Sequence, residues 1–167
     1  AVFNGSSSKI DIANLSNTFG QKTSYTVSAW FKMSASGNNA IFDDYNYTNQ
    51  NLGLYLYDGV MNFFARYNNS DTSGISSGST TYNDDNWHHV VATFDSTLSG
   101  NSKLQLYVDG EIVSSPTYTT SGTMSTILNN NYNVRIGARS DTGNIPLNGN
   151  IQSLRLYNRA LSTSEVL

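Results

Sequence analysis

Residues 86–95, Asn-Trp-His-His-Val-Val-Ala-Thr-Phe-Asp, and residues 104–111, Leu-Gln-Leu-Tyr-Val-Asp-Gly-Glu, are the stretches that decide the fold of this chain. In both, every second side chain is apolar, which is the period expected where one face of a strand meets a core. That phase holds Val90, Ala92 and Phe94 in the first stretch and Leu104, Leu106 and Val108 in the second. Asp109-Gly110 supplies the residues of a tight hairpin turn. We therefore predict two neighbouring strands of a two-sheet sandwich.

Short strands with turn signals between them recur along the chain, and this is typical of an antiparallel sandwich. We predict strands near 2–4, 9–13, 24–33, 40–43, 52–58, 60–67, 87–95, 103–109, 111–115, 133–139 and 150–158. We predict loops at 34–39, 68–86, 96–102, 116–132 and 140–148. Asp58-Gly59 predicts a second tight hairpin, and Ser162-Thr-Ser-Glu165 is a capping box that predicts a short terminal helix.

The composition describes one weakly charged domain, 1–167, that is large enough to bury a core. The net charge is -3, with 13% charged and 12% aromatic residues and no cysteine. Nucleic acid binding is disfavoured because it needs clustered Lys and Arg. Membrane insertion is disfavoured because no stretch offers about 20 apolar residues in a row. A surface rich in Ser, Thr and Asn suits sugar hydroxyls.

Several motifs in family order resemble the laminin-G-like, concanavalin A-like jelly-roll domains. They are Phe3-Asn4-Gly5, the strand 25–32, the Trp-His-His strand at 87–89, the Tyr-Val-Asp-Gly hairpin at 107–110 and the closing segment 149–162. The resemblance implies an all-β, antiparallel jelly roll of the carbohydrate-binding-module type. It also implies secretion. The chain starts at Ala1 without an initiator methionine, so we expect a module covalently linked to further domains of a larger secreted protein.

Candidate catalytic residues are few. Jelly-roll glycosidases need two carboxyl groups about 5 to 10 Å apart, yet Glu occurs only at Glu111 and Glu165. The pairs Asp43-Asp44 and Asp84-Asp85 are adjacent, so their side chains diverge from an extended strand, and we interpret them as solvated loop residues. His88 and His89 point to opposite sides of their strand. We expect no enzyme activity.

A calcium ion is implied by the resemblance, since laminin-G-like domains often hold a hard cation at the rim. Transferred by position, its ligands are Asn51 or Asp44, a backbone carbonyl near Tyr67, and Asp141. Oxygen ligands in loops suit Ca²⁺. The sequence departs from the family where Gln152-Ser153 replaces an acidic pair, which weakens this expectation.

Aromatic residues are the main indication of function. We expect Trp30 and Trp87 to be buried framework residues outside any site. If the leucines of 52–58 and the apolar phase of 60–67 face the core, the intervening side chains share the opposite face. The candidate carbohydrate-binding residues are Tyr45, Tyr47, Tyr55, Tyr57, Asn62, Phe64, Arg66, Tyr67 and Arg139. The alternative is that loops cover this face and its aromatics form a minor core.

Three functions follow. The first is a non-catalytic carbohydrate-binding module that stacks sugar rings on exposed aromatics and binds a polysaccharide or oligosaccharide with its rim loops. The second is an extracellular adhesion or structural domain with a protein partner. The third is a glycosidase or polysaccharide lyase. An aromatic groove on the outer face of 52–67 favours sugar, whereas a broad flat apolar patch favours protein.

Overall fold

A computed structural model describes residues 1–12, 23–44, 51–66, 72–121, 134–139 and 145–166, and the side chain of Asn51 is not described. These residues form thirteen strands, and their bounds follow. They are β1 Val2–Asn4, β2 Ile10–Ile12, β3 Ser24–Lys32, β4 Asn38–Asp43, β5 Asn51–Tyr57, β6 Val60–Arg66, β7 Thr72–Thr81, β8 Trp87–Asp95, β9 Leu104–Val108, β10 Glu111–Ile112, β11 Thr117–Ser121, β12 Val134–Ile136 and β13 Asn148–Tyr157. A 3₁₀ turn, Gly100–Lys103, precedes β9, and one helix, α1, spans Thr163–Val166.

The strands lie in two antiparallel sheets. In the described residues, one has six strands in the order β1-β13-β3-β8-β9-β10, and the other has seven in the order β11-β7-β6-β5-β4-β12-β2. The core lies between the sheets because the apolar phase of each strand points inward, with Val90, Ala92, Phe94, Leu54 and Phe63 all fully buried. The predicted two-sheet sandwich is therefore confirmed.

Both predicted hairpin turns are present. Asp58 and Gly59 have φ angles of 49° and 84°, and Asp109 and Gly110 have 54° and 83°. Two consecutive residues with positive φ match the twist of a two-residue hairpin, which explains the Asp-Gly sequence at each turn. These turns fix the register of β5 with β6 and of β9 with β10.

The predicted loops 68–86 and 116–132 are wrong in part, because they contain β7 and β11. Each of these strands is rich in Ser, Thr and Gly, so its sequence resembles a loop. Both are held by backbone pairing: β7 lies between β6 and β11. The terminal helix is confirmed, since the Ser162 backbone N–H and hydroxyl both donate to the Glu165 carboxylate at 2.9 Å.

The chain after β13 covers one half of the outer face of the six-stranded sheet. Leu161 and Val166 pack on Val91 and Tyr107, and the Thr26 hydroxyl donates to the Arg159 carbonyl at 2.9 Å. The other half of this outer face is not covered in the described part of the chain and carries Val2, Trp30 and Trp87 in exposed positions. Within the described ranges no helix is long and apolar enough to cross a membrane.

Candidate functional site

The predicted aromatic face lies on the outside of the seven-stranded sheet. We call Tyr55, Tyr57, Asn62, Phe64 and Arg66 the tyrosine face. Their neighbours along β5 and β6 are fully buried on the core side, so the predicted division of the two faces is correct. Antiparallel pairing places Tyr55 opposite Asn62, with Phe64 one step along the sheet opposite Gly53.

Three rings of the tyrosine face pack on one another. Tyr55 and Tyr57 are stacked, with centroids 5.6 Å apart and planes 12° apart, and Phe64 tilts against both at 6.2 and 6.4 Å. Tyr55 is only 4% exposed and packs with Ala40 and Ile145, whereas Tyr57 and Phe64 stay half-buried. The alternative of a minor core therefore holds for Tyr55, whose ring supports its neighbours and offers no surface to a ligand.

Two strand glycines make room for these rings. A Cβ on Gly53 would overlap the Tyr55 ring, and a Cβ on Gly74 would lie 2.7 Å from Cδ1 of Phe64. A glycine inside a strand often marks such a close approach. Gly53 and Gly74 were the sequence signal that aromatic side chains lie flat on this sheet.

The acidic pair at the end of β4 is buried, so its interpretation as solvated loop residues is wrong. The Tyr55 hydroxyl donates to Asp43, which has no exposed surface, and the Leu52 N–H donates to Asp44, which is 6% exposed. Burial raises the pKa of Asp44 well above its usual value, against the Leu52 hydrogen bond. Asp43 thus holds the buried tyrosine in place.

Two arginines lie at the tyrosine face. The Arg66 guanidinium carbon is 5.5 Å from the Phe64 centroid, in cation–π range. Its Nε is buried and has no hydrogen-bond partner in the described part of the chain. Arg139 follows β12, where its carbonyl accepts a hydrogen bond from Arg135 at 2.8 Å. Burial raises the pKa of Tyr57, and the charges of Arg139 and Arg66 oppose that rise.

The remaining predicted sugar contacts divide into two groups. The Asn62 amide nitrogen donates to the Val60 carbonyl of its own strand, 2.9 Å away. Tyr45, Tyr47 and Tyr67 lie outside the described residues. The structure therefore brings together Tyr57, Asn62, Phe64, Arg66 and Arg139 as candidate contacts, with Tyr55 beneath them.

The described residues do not supply a calcium-binding set. Asp141 and the side chain of Asn51 lie outside them, as does the backbone at Tyr67. Asp44 is buried and engaged by the Leu52 N–H. No cluster of three or more His, Asp or Glu side chains placed for a metal occurs in the described ranges. Calcium stays a prediction.

The two tryptophans are not core residues, so that expectation is wrong. Trp30 is 41% exposed and Trp87 is 42% exposed, on the uncovered half of the six-stranded sheet. Alternation was the missed signal: Ala29 and Phe31 face the core, so Trp30 between them must face outward. With Gln152 and Ser153 the two indoles line a cleft of about 360 Å³, which we call the tryptophan cleft.

The adjacent histidines face opposite sides of β8, as predicted. His88 packs on Phe31 and Tyr82, and its two ring nitrogens lie 2.8 Å from Asp109 and 3.1 Å from Asp84. His89 stacks under Trp30. His88 therefore ties the loop before β8 to the β9–β10 hairpin.

The chain has no sequence match among curated proteins. Among solved structures it resembles the CBM40 of the Ruminococcus gnavus IT-sialidase, with 17% identity and a TM-score of 0.71 over 95% of this chain and 94% of that one. It resembles mouse laminin alpha1 domains LG4-5 with 18% identity and a TM-score of 0.69, covering 96% of this chain and 45% of that one. Botulinum neurotoxin type C matches with 12% identity and a TM-score of 0.67, covering 98% of this chain and 40% of that one.

These likenesses show the fold, and the chain spans less than half of the laminin and toxin chains. A family model of the laminin G type, described as the concanavalin A-like lectin/glucanases superfamily, matches residues 4–167. The two-layered antiparallel sandwich and this match over nearly the whole sequence show that the chain belongs to the concanavalin A-like lectin/glucanases superfamily, as a laminin G-like jelly-roll domain.

Proposed function

We propose that this domain is a non-catalytic carbohydrate-binding module that binds an acidic glycan on its tyrosine face. The observation that carries the proposal is Arg66: its guanidinium lies over Phe64, and its buried Nε has no hydrogen-bond partner among the described residues. A guanidinium is a planar fork of donors, and a carboxylate or sulfate would accept charge-assisted hydrogen bonds from it.

The mechanism divides the work between rings and charges. A sugar ring would lay its C–H face on the half-buried rings of Tyr57 and Phe64. Arg66 would donate to the acidic substituent, with Arg139 adding positive charge near Tyr57. Tyr55 would hold the platform rigid from below through its stack and its bond to Asp43. A rigid platform reduces the entropy lost on binding.

We propose no catalysis because protein groups already engage the candidate acidic side chains. Asp43 and Asp44 are buried with protein donors, and Arg159 holds both carboxylate oxygens of Glu165 at 2.8 Å. A glycosidase needs two carboxyl groups that face each other across an open cleft, one as the acid and the other as the nucleophile or base. In the described part of the chain these groups do not form such a pair.

The structural neighbours support a glycan-directed role outside the cell. One is a module of a sialidase, and another is a toxin whose cell entry depends on two ganglioside molecules. The first is named as one module of an enzyme, and the match to the toxin covers 40% of the toxin chain. Both fit a module that tethers linked domains to a glycan. We infer the same arrangement here: a secreted protein in which this domain is covalently joined to others.

Affinity electrophoresis tests the proposal. Gels containing alginate, polygalacturonate, hyaluronan or chondroitin sulfate should retard the wild-type domain in at least one case. Arg66→Ala should weaken that binding about thirtyfold, equivalent to about 2 kcal/mol. Arg155→Ala is the matched control, because it removes the same charge from the exposed outer face of the opposite sheet.

Two results would count against this function. Either no acidic polysaccharide retards the domain, or Arg66→Ala and Arg155→Ala weaken binding equally. Retardation in these gels that depends on added calcium and is abolished by a chelator would support the rim ion expected from the family. An adhesion role with a protein partner is less favoured on this face, because none of the large exposed hydrophobic side chains in the described residues lies on β5 or β6.

A further inference from the structure

The uncovered half of the six-stranded sheet carries a second aromatic site. Strand pairing places Trp30 between His89 on β8 and Gln152 on β13, and it places Trp87 opposite Lys32. Trp30 and Trp87 are therefore diagonal neighbours on one face, a spacing that large side chains can bridge. Their cleft of about 360 Å³ lies within the range of about 300 to 1,000 Å³ that small-molecule sites occupy.

In the described residues, the segment after β13 covers only one half of this sheet. Leu161 and Val166 of the terminal segment bury Val91 and Tyr107 on the other half of the same outer face. The two indoles remain 41% and 42% exposed. Two exposed indoles grouped on one face make this half of the sheet a candidate binding surface.

The Trp30 ring is held in place. It stacks on His89 with centroids 5.1 Å apart and planes 24° apart, and the His89 Nε2 lies 2.9 Å from the Ser28 hydroxyl. Burial lowers the pKa of His89, so a neutral imidazole supports the indole at neutral pH. Since His89 occupies one side of Trp30, the ring presents its other side toward β13 and the cleft.

The side of the cleft next to the indoles is formed by a strained segment of β13. Between Gln152 and Arg155, β13 holds one residue more than β3, which is a β-bulge, and Ser153 in that bulge has a φ of 53°. A residue other than glycine in the left-handed region costs about 1 to 3 kcal/mol, and such strain gathers at functional sites. The bulge sets Gln152 and Ser153 against the cleft.

The chemistry of the lining is neutral. The four residues are two indoles, an amide and a hydroxyl. Asn148, Asn150 and Gln152 alternate along β13 and form a row of amides beside the indoles. The neighbouring Lys32 is paired with Asp85 at 3.5 Å. Amides both donate and accept hydrogen bonds, as sugar hydroxyls require, whereas no charged group in the lining would select an acidic ligand.

We propose that the tryptophan cleft is a second carbohydrate site that takes a neutral hexose or pentose ring of an oligosaccharide, stacked on the two indoles and hydrogen-bonded by Gln152 and Ser153. The site does not depend on the tyrosine face. It lies on the opposite sheet and uses none of that face's residues.

The chain's own fluorescence tests this proposal, because its only two tryptophans both line the cleft. Titration with cellohexaose, xylohexaose, mannohexaose, laminarihexaose and maltohexaose should shift indole emission saturably with at least one of them. Calorimetry with that sugar should then show at least a thirtyfold loss of affinity in Trp30→Ala and in Trp87→Ala. Gln152→Ala, which leaves both indoles, should lose severalfold.

Two controls keep the outcomes distinct. Leu98→Ala truncates another exposed apolar side chain and should bind as wild type does. Arg66→Ala should also bind the neutral sugar as wild type does. Loss of acidic-glycan binding at the tyrosine face can therefore be distinguished from loss of neutral-sugar binding at the tryptophan cleft. Circular dichroism would establish that each tryptophan variant is folded.

Three results would overturn the proposal. The first is no response to any of the five sugars at millimolar concentration. The second is a proline-rich peptide that shifts indole emission where the sugars do not, which would assign the cleft to a protein ligand. The third is self-association in sedimentation that Trp30→Ala with Trp87→Ala abolishes, which would make the cleft an interface between copies.

Discussion

The two outer faces of this sandwich hold aromatic side chains in different states. On the seven-stranded sheet, Tyr55 lies flat over Gly53, is 4% exposed and is fixed by Asp43. On the six-stranded sheet, Trp30 and Trp87 stand exposed with only a histidine beneath one of them. Both sets occupy the outward phase of their strands, so alternation alone does not determine burial. What differs is the cover above each sheet.

The charges on the two faces differ as well. Arg66 and Arg139 bring positive charge to the tyrosine face, which favours an anion there. The tryptophan cleft has no charged lining residue. One domain could thus hold an acidic glycan on one side and a neutral one on the other, and each contact would be separable by mutation.

The largest expected effect is the difference in stability between Tyr55→Ala and Trp30→Ala. Tyr55→Ala should lower the free energy of unfolding by about 3 to 5 kcal/mol, because it opens a cavity and leaves the buried Asp43 without its tyrosine donor. Trp30→Ala should cost about 1 to 2 kcal/mol, since much of its ring is already in water. Urea denaturation measures both. Equal losses would contradict the distinction between a covered and an open face.

A smaller change tests how the tyrosine face is built. Gly53→Ala forces the Tyr55 ring to move and should cost about 1 to 3 kcal/mol, with a parallel loss of acidic-glycan binding. Gly74→Ala is a comparison for stability alone: its Cβ would lie 2.7 Å from the half-buried Phe64 ring, which has more freedom to shift, so the loss of stability should be smaller. Gly53→Ala should leave indole emission unchanged. If Gly53→Ala left the free energy of unfolding and the glycan affinity unchanged, the position of the Tyr55 ring would not depend on this glycine.

Added salt should lower the ligand affinity of the tyrosine face about tenfold and leave that of the tryptophan cleft unchanged. Raising ionic strength from 0.05 M to 0.5 M screens the attraction between arginines and an acidic glycan, so affinity at the tyrosine face should fall about tenfold, or about 1.4 kcal/mol. Affinity of a neutral oligosaccharide at the cleft should stay constant over the same range. Calorimetric titrations at the two salt concentrations make the comparison. A cleft affinity that falls in parallel would indicate a charged ligand there.

Much of this architecture could be predicted from the sequence because its strands alternate strictly. The phase of Leu54 and Leu56 placed Tyr55 and Tyr57 together on the outer face, and both Asp-Gly turns were predicted correctly. The same phase rule applied to Ala29 and Phe31 would have placed Trp30 outside. We expected Trp30 in the core because large aromatic side chains are usually buried, and that expectation is wrong.

Other features depend on pairing that no local pattern contains. β7 has Ile75 as its one large apolar side chain, and Ser77 satisfies backbone groups by accepting from the Met61 N–H at 3.1 Å and donating to the Thr80 carbonyl at 2.7 Å. Such a strand exists because β6 and β11 lie beside it. Burial of Asp43 likewise depends on Tyr55, which is 12 residues away in the chain.

The smallest expected effect separates the two adjacent histidines by pH. Burial disfavours charged His88, but hydrogen bonds with Asp109 and Asp84 outweigh it and raise its pKa. Its stabilising contribution should be complete below the unfolded pKa of about 6.5 and lost as pH rises through the folded value. Burial lowers the pKa of His89, so its contribution is lost as pH falls below about 6.5 through the folded value.

The advantage of the wild type over His88→Gln should therefore shrink from pH 5 to pH 8, while its advantage over His89→Gln should grow. Each change should stay below about 1 kcal/mol because both groups are partly solvated. Urea denaturation at four pH values measures the two trends. An advantage over His88→Gln that grows with pH would mean that Asp84 and Asp109 do not favour the charged form of His88. An advantage over His89→Gln that shrinks with pH would remove the basis for treating the imidazole that stacks on Trp30 as neutral.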